Sequence, residues 1–339
     1  MKTLLVLAGG LLTTVQDCGR YGLQAFGVPV SGAMDTYSLQ WANKLVGNDR
    51  SLAALEMTMQ GPVLRAEASL LVAVTGGKFS LSINGIPAPQ WEAMCLAPGD
   101  EMVVGAAACG ARAYLAVAGG FDVPRVMGSR STFLRGQIGG FSGRTLRAGD
   151  ILPVGECEDR SQLAGSFTPR ALLAPEPAAV NTVRVMMGPQ EDLFTPEAIQ
   201  ALAQAEYAVS AESDRMAYRL QGKPLLPCTG AGVVSDGIAP GSIQVPPSGQ
   251  PIVMLADRQT TGGYPKIATV IGADLPLLGQ LKPGDRLKFR VVTYGEARAL
   301  LSEQATRLAG SPSGVRSRRE FKVTVRGDLF HVKASEVVL

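Results

Sequence analysis

Short apolar runs closed by glycine recur along the chain. Leu70 to Thr75 (LLVAVT) ends at Gly76-Gly77, and Ala113 to Ala118 (AYLAVA) ends at Gly119-Gly120. Ile252 to Ala256 (IVMLA) is a third such run, and Leu287 to Val292 alternates more weakly. Runs this short, bounded by turn residues, fit buried strands. Phe79, Leu81 and Ile83 alternate with polar residues and then meet Asn84-Gly85, a strong hairpin signal. The opening MKTLLVLAGGLLTT reads as an edge strand. Lys2 before apolar residues imitates a secretion signal, but Gly9-Gly10 breaks the run and no cleavage site follows.

Helical spacing is rare. Met34, Trp41 and Leu45 share one face, and Gly47-Asn48 stops the pattern. Thr195-Pro196-Glu197 is a helix start, with Thr as cap and Pro in the first turn. Glu296 to Leu308 carries Ala297, Leu300, Leu301 and Leu308 and stops at Gly310. The pattern therefore predicts a mainly β protein with few helices. A small turn recurs at Pro98-Gly99-Asp100, Ala148-Gly149-Asp150 and Pro283-Gly284-Asp285, each just before an apolar stretch. Its presence in both halves hints at two related β units. Residues 3–157 form the first lobe on this reading, and 158–180, rich in Ala, Pro and Ser, the linker. Residues 181–309 form the second lobe. Residues 310–339 are a second linker and an appended hairpin, with Phe321, Val323 and Val325 on one face and a turn at Arg326-Gly327-Asp328.

Composition narrows the class. The 339 residues include 40 glycines and 22 prolines, with 46% hydrophobic and only 18% charged residues. This excludes disorder, coiled coil and collagen. Thirty-two basic against 29 acidic residues leave a net charge of +3, too small to imply nucleic-acid or membrane binding. No run is long enough for a membrane span. Five cysteines, without a paired C-x-x-C spacing, argue against a disulfide framework or a zinc site and fit a reducing cytoplasm. The single histidine, His331, lies in the tail hairpin, so a Ser-His-Asp hydrolase has no base and a histidine metal centre is excluded. No metal is expected.

Three polar, glycine-rich stretches remain. The first runs from Thr13 through Gln16, Asp17 and Arg20 to Gly22, with Ser31 to Asp35 beyond it. The second is Gly128 to Thr132, containing Arg130 and Ser131, with Gly139-Gly140 beyond. The third is Asp257 to Lys266, containing Gln259, Thr260, Thr261, Gly262, Gly263 and Tyr264. Glycines let backbone N–H groups approach a ligand, Arg offers a fork to a carboxylate or phosphate, and Asp can accept a proton. The alternative reading is that Asp17, Arg20 and Asp35 form a structural ion-pair network.

The strings TTVQDCGRYG, SGAMD, ANKLVGN, GGFDVPRVMGSRST, SDRMAYRLQG and SIQVPPSGQPIVMLADRQTTGGYPKIA resemble the C-type subunit of 5-oxoprolinase. This is the biotin-dependent carboxyltransferase family also called allophanate hydrolase subunit 2. The resemblance spans roughly residues 3–308. It implies two cyclophilin-like β-barrel lobes. It also implies a B-type partner in a heteromeric complex, a further A-type partner, and ATP-dependent opening of 5-oxoproline to glutamate. ATP and Mg would act at the level of the complex, with no group bound covalently. One alternative it leaves open is the carboxyltransferase part of a urea-carboxylase-type enzyme, taking carboxybiotin and a urea-like acceptor. Another is a regulatory protein that antagonises a kinase inhibitor resembling the B-type partner. The cations matching family motifs are Arg20, Arg130, Arg215 and Lys266. Asp17, Arg20, Asp35, Asp257 and Lys266 are the implied catalytic residues. Gln16, Arg130, Ser131, Arg215 and the stretch Gln259 to Tyr264 are the implied substrate contacts. Ala217 departs from the Gly usual in the family. The tail FKVTVRGDLFHVKASEVV resembles the first hairpin of a biotin carrier domain, without an attachment lysine motif after it.

Overall fold

In the computed structural model, β1 (Thr3–Ala8) buries Leu4 and Val6 and leaves the intervening residues partly exposed, as a strand with one core face must. The structure describes residues 2–174, 176–228, 232–313, 318–325 and 328–335, the last two as backbone only. The Arg316 region, the Arg326-Gly327 turn and residues 336–339 lie outside the described residues.

The first lobe continues through β2 (Leu12–Gln16), α1 (Thr36–Leu45), β3 (Ala54–Thr58), β4 (Val63–Ala66), β5 (Leu70–Ile83), β6 (Ile86–Pro87), β7 (Ala93–Leu96), β8 (Glu101–Val117) and β9 (Ile151–Pro153). These nine strands make one sheet, with β8 pairing β3, β4 and β5. The opening strand is interior rather than at an edge: β1 hydrogen-bonds β4 on one side and β9 on the other. β9 supplies the edge because the long excursion between Val117 and Ile151 returns the chain beside β1, a pairing that local sequence does not signal. One face of the sheet packs Leu4, Val6, Leu55, Met57, Val72, Val74, Leu115 and Phe121 into the core. Its other face takes α1, whose Leu39, Ala42 and Leu45 meet Leu71, Ala73 and Ala116. Covering both faces explains why LLVAVT and AYLAVA read as unbroken apolar runs.

The second lobe comprises β10 (Val180–Met187), α2 (Pro196–Gln204), β11 (Glu206–Val209), β12 (Ala217–Gly222), β13 (Asp236–Gly237), β14 (Ser242–Gln244), β15 (Ile252–Met254), β16 (Thr261–Gly262), β17 (Lys266–Val270), α3 (Leu275–Gly279), β18 (Arg286–Val291) and α4 (Tyr294–Ala309). Seven of these strands close a barrel in the order β10-β17-β14-β15-β12-β11-β18, sealed by the parallel pair β10–β18. Val183, Val185, Tyr218, Ile243, Val253, Leu287 and Phe289 fill it. Thr195 caps α2, its side chain accepting from the Ala198 amide. Ala217 sits in β12 opposite Met254, an ordinary strand position. The tail forms an antiparallel hairpin of β19 (Arg318–Val325) and β20 (Asp328–Ser335), with His331 in register with Lys322.

The recurring turn has one geometry at all three places. Gly99, Gly149 and Gly284 have φ of 90°, 91° and 91°. Asp100, Asp150 and Asp285 each accept, through a carboxylate oxygen, the amide three residues earlier, from Ala97, Arg147 and Lys282. The positive φ demands glycine, and the Asp side chain closes the turn. Between the lobes, the linker residues Gly165 to Thr168 hydrogen-bond Ala93 and Trp91 beside β7, so this stretch is an added edge of the first lobe.

Candidate functional site

Asp17 leaves the end of β2 and accepts four hydrogen bonds: from the Gly19 amide, from Ser129 Oγ and Ser131 Oγ, and from the Arg130 amide. Arg20 lies under the same loop and is 1% exposed. Its Nε donates to the Val126 carbonyl at 3.0 Å and its Nη2 to the Ser131 carbonyl at 2.9 Å, while Nη1 is buried without a partner. Burial pulls the Arg20 guanidinium below its ordinary pKa, against the attraction of Asp17 and Asp257. Arg130 turns back to the Val123 carbonyl and the Asp122 carboxylate. Gln16 donates to Thr14 Oγ1 and the Thr132 carbonyl. The loop so held is strained. Met127, Gln137 and Ser142 adopt φ of 53°, 52° and 58°, the left-handed region that non-glycine residues avoid. Backbone outliers of this kind persist where surrounding contacts enforce them and cluster at functional sites.

A second cluster lies on the seam between the lobes. Glu56, on β3, is 1% exposed and accepts from Arg215 Nη1, the Met34 amide and Tyr114 Oη. Arg215 also donates through Nε to Asp257 at 2.9 Å and through Nη2 to the Gly32 carbonyl at 2.6 Å. Arg112 donates to Tyr218 Oη and the Gly279 carbonyl and stands 3.9 Å from Glu56. Burial works against the charge on Glu56, but Arg215 and Arg112 prevail and hold its carboxyl below the usual range. Asp35 is fully buried. It caps α1 through Ser38 and accepts from Gln280 Nε2 across the seam. Its burial, with Glu56 nearby, pushes its carboxyl above the ordinary value. Gly279 is required here, since a Cβ would stand 2.6 Å from the Met34 carbonyl. The Ser31 amide meets the Ala256 carbonyl at 3.1 Å, tying the first polar stretch to the third.

The rest of the third stretch is a flap. β16 pairs with β13, and Lys266 Nζ meets Asp236 at 2.9 Å. The Lys266 side chain is 4% exposed and that of Asp236 61%, so the pair reaches from interior to solvent. Gly262 packs where a Cβ would strike Gln244 and Ile238. Gln259 is half-buried, with its Oε1 unpartnered, and Tyr264 is exposed. Thr260 gives its carbonyl to the Ile238 amide, and the Val233 amide donates to the Gly263 carbonyl. Tyr21, Met127 and Tyr264 are all exposed, one on each polar stretch or its loop.

The sequence-derived residues thus fall into three groups. Asp17, Arg20, Arg130 and Ser131 build the strained loop. Asp35, Arg215 and Asp257 hold the seam. Gln259 to Tyr264 and Lys266 form the flap. Sequence reasoning missed Glu56, Arg112, Gln280 and Asp236. Glu56 had a signal, a lone carboxylate between Leu55 and Met57 in an apolar strand. Asp236 had none, because its partner lies thirty residues on. Cys18, beside Asp17, is an unsuitable nucleophile: burial and the neighbouring carboxylates push its thiol up to about 11.

The model of the carboxyltransferase domain, subdomain A and B, matches residues 26–291. The C-type subunit of the Escherichia coli 5-oxoprolinase is 38% identical over 86% of this chain and 92% of its own length. A urea amidolyase of Saccharomyces cerevisiae is 33% identical over 93% of this chain, which corresponds to 18% of that much longer protein. The crystal structure of the Kluyveromyces lactis urea amidolyase superposes with a TM-score of 0.85 and 34% identity, over 90% of this chain and 20% of that one. With a family model covering most of its length and a near full-length relative, this chain belongs to the carboxyltransferase domain, subdomain A and B, family.

Proposed function

We propose that this chain is the C-type subunit of an ATP-dependent 5-oxoprolinase that opens 5-oxoproline to glutamate together with B-type and A-type partners. The observation that carries the reading is the identity with a 5-oxoprolinase component along nearly the whole of that protein. The chemistry required is addition of water to the carbon of a lactam, a poor electrophile, which puts charge on the carbonyl oxygen, followed by cleavage of the ring C–N bond as the nitrogen takes a proton. That step needs preorganised donors at the developing oxyanion. We assign this role to Lys266 and the Gly262-Gly263 backbone, because the flap reaches solvent and its cation has a single exposed partner. Asp17 and Arg20 shape the loop opposite. Asp35, Arg215 and Asp257 align the two halves, since each is buried and engaged.

The residues described do not fit a polyphosphate. Arg130 and Arg215 are engaged by carboxylates and carbonyls, Arg20 by two carbonyls, and Lys266 by Asp236. We assign the nucleotide to one of the partners, because the cations of this chain are already engaged. The test is reconstitution with the B-type and A-type chains of the same organism. Glutamate release from 5-oxoproline that needs ATP and all three chains supports the reading; no release from a stable, stoichiometric complex overturns it.

A second reading, a carboxyltransferase component, has one observation of its own. The urea amidolyase match takes in 93% of the chain. The match to the 5-oxoprolinase component leaves a larger remainder. Recovery of a biotinylated protein with this chain from its native host supports that alternative.

A further inference from the structure

A cavity of about 340 Å³ opens at the junction of both lobes and the linker, away from the strained loop and the flap. Tyr37 of α1 forms one wall, Thr182 and Arg184 of β10 another, and Arg307 of α4 a third. The two arginines are in different states. Arg184 is matched by Asp274, which receives its Nε at 2.9 Å and its main-chain amide at 2.7 Å. Arg307 has no carboxylate partner among the described residues. Its Nη2 donates to the Leu173 carbonyl at 2.7 Å, its guanidinium lies 5.5 Å from the centre of the Tyr37 ring, and its Nε is buried with no acceptor. A guanidinium with no carboxylate partner on the wall of a cavity is complemented by the carboxylate of a ligand, the acceptor that matches its N–H groups best. Pro276, Leu277 and Leu300 give the remaining lining an apolar part, and Asp35, Gln280, Glu303 and Gln304 a polar one.

We propose that this cavity binds a short aliphatic carboxylate, with its anionic end on Arg307 and its chain against Leu277 and Leu300. The volume suits a molecule of that size. The site is separate from the flap and does not depend on the reaction assigned to it. A ligand there touches α1 of one lobe, α4 of the other and the linker at Ala174, so it ties the three together. The local charge favours one anionic group rather than several, since Asp274 and Glu303 also line the cavity.

The probe is sodium valerate, a five-carbon monocarboxylate, titrated calorimetrically into the full chain with sodium chloride as the control. Saturable one-to-one binding in the millimolar range or tighter is expected. Arg307→Lys keeps the charge but removes the planar guanidinium fork, and should weaken binding at least tenfold. Thr182→Met, at an exposed position on the cavity wall, should weaken it by crowding while leaving the fold intact. Lys266→Met should leave it unchanged, which separates this cavity from the flap. Absence of saturable valerate binding, equal affinity in Arg307→Lys, or a loss confined to Lys266→Met overturns the proposal.

Discussion

The seam and the flap both set basic groups against carboxylates, and they use them in opposite ways. On the seam, Glu56, Arg215 and Asp257 are all buried, and each charge is met by an opposite charge and by hydrogen bonds. In the flap, Lys266 has one carboxylate, and that carboxylate is exposed. A buried, fully partnered network costs about 3–5 kcal/mol to break, because the survivor is left charged in a low dielectric. The flap pair is half of each kind: losing Lys266 leaves only Asp236 behind, in water, at about 0–1 kcal/mol. The fold thus keeps its fully enclosed charges at the joint between lobes and a pair that reaches solvent at the rim.

The hardest test of that contrast is Glu56→Ala. It strips the carboxylate from Arg215 and Arg112, and urea unfolding should show a loss of about 3–5 kcal/mol. A loss below about 1 kcal/mol would mean that the seam is not a structural joint. Lys266→Met should do the reverse. In the reconstituted complex its turnover should fall by about two to three decades, while its stability to urea stays within about 1 kcal/mol of the parent. Retained turnover removes the flap from the chemistry. Asp17→Asn comes next, at about 1.5–3 kcal/mol, since an amide cannot serve all four donors of the strained loop. Acid should act on the seam in a defined direction. Glu56 has a folded pKa below its unfolded one, so its contribution is present above the ordinary glutamate value and is lost as pH falls through the folded value. Asp35 has the opposite shift, and its contribution is lost as pH rises through its folded value. Glu56→Gln should therefore flatten the acid side of the stability curve measured by urea midpoints, and Asp35→Asn the decline toward neutral pH. The smallest effect belongs to the tail. Its strands pair only with each other among the described residues, so a chain ending at Ser313 should unfold within about 0.5 kcal/mol of the parent.

Much of the fold is legible locally. Asn84-Gly85 sits in left-handed backbone at φ of 52° and 77°, and the β5–β6 hairpin follows. Thr195-Pro196 opens α2, and the glycine-aspartate turns repeat one geometry in three places. What escaped was set by distance along the chain. The interior place of β1 depends on β9, almost the length of the lobe away. The three polar stretches were visible as unusual, yet composition could not separate a carboxylate that faces solvent from one that caps a helix. Asp35 and Asp257 have the same chemistry as Asp236 in the sequence; only the partners brought by the fold distinguish them.

The joint also acts as an address. Each lobe carries half of a set of buried charges: Glu56 and Arg112 on one side, Arg215 and Asp257 on the other. A lobe made alone would present those charges to water, and the other lobe is the surface that matches them. Severing the chain in the linker should yield two pieces that find each other in solution, whichever is made first. The peptide bond between them supplies proximity, while the pattern of charge supplies recognition.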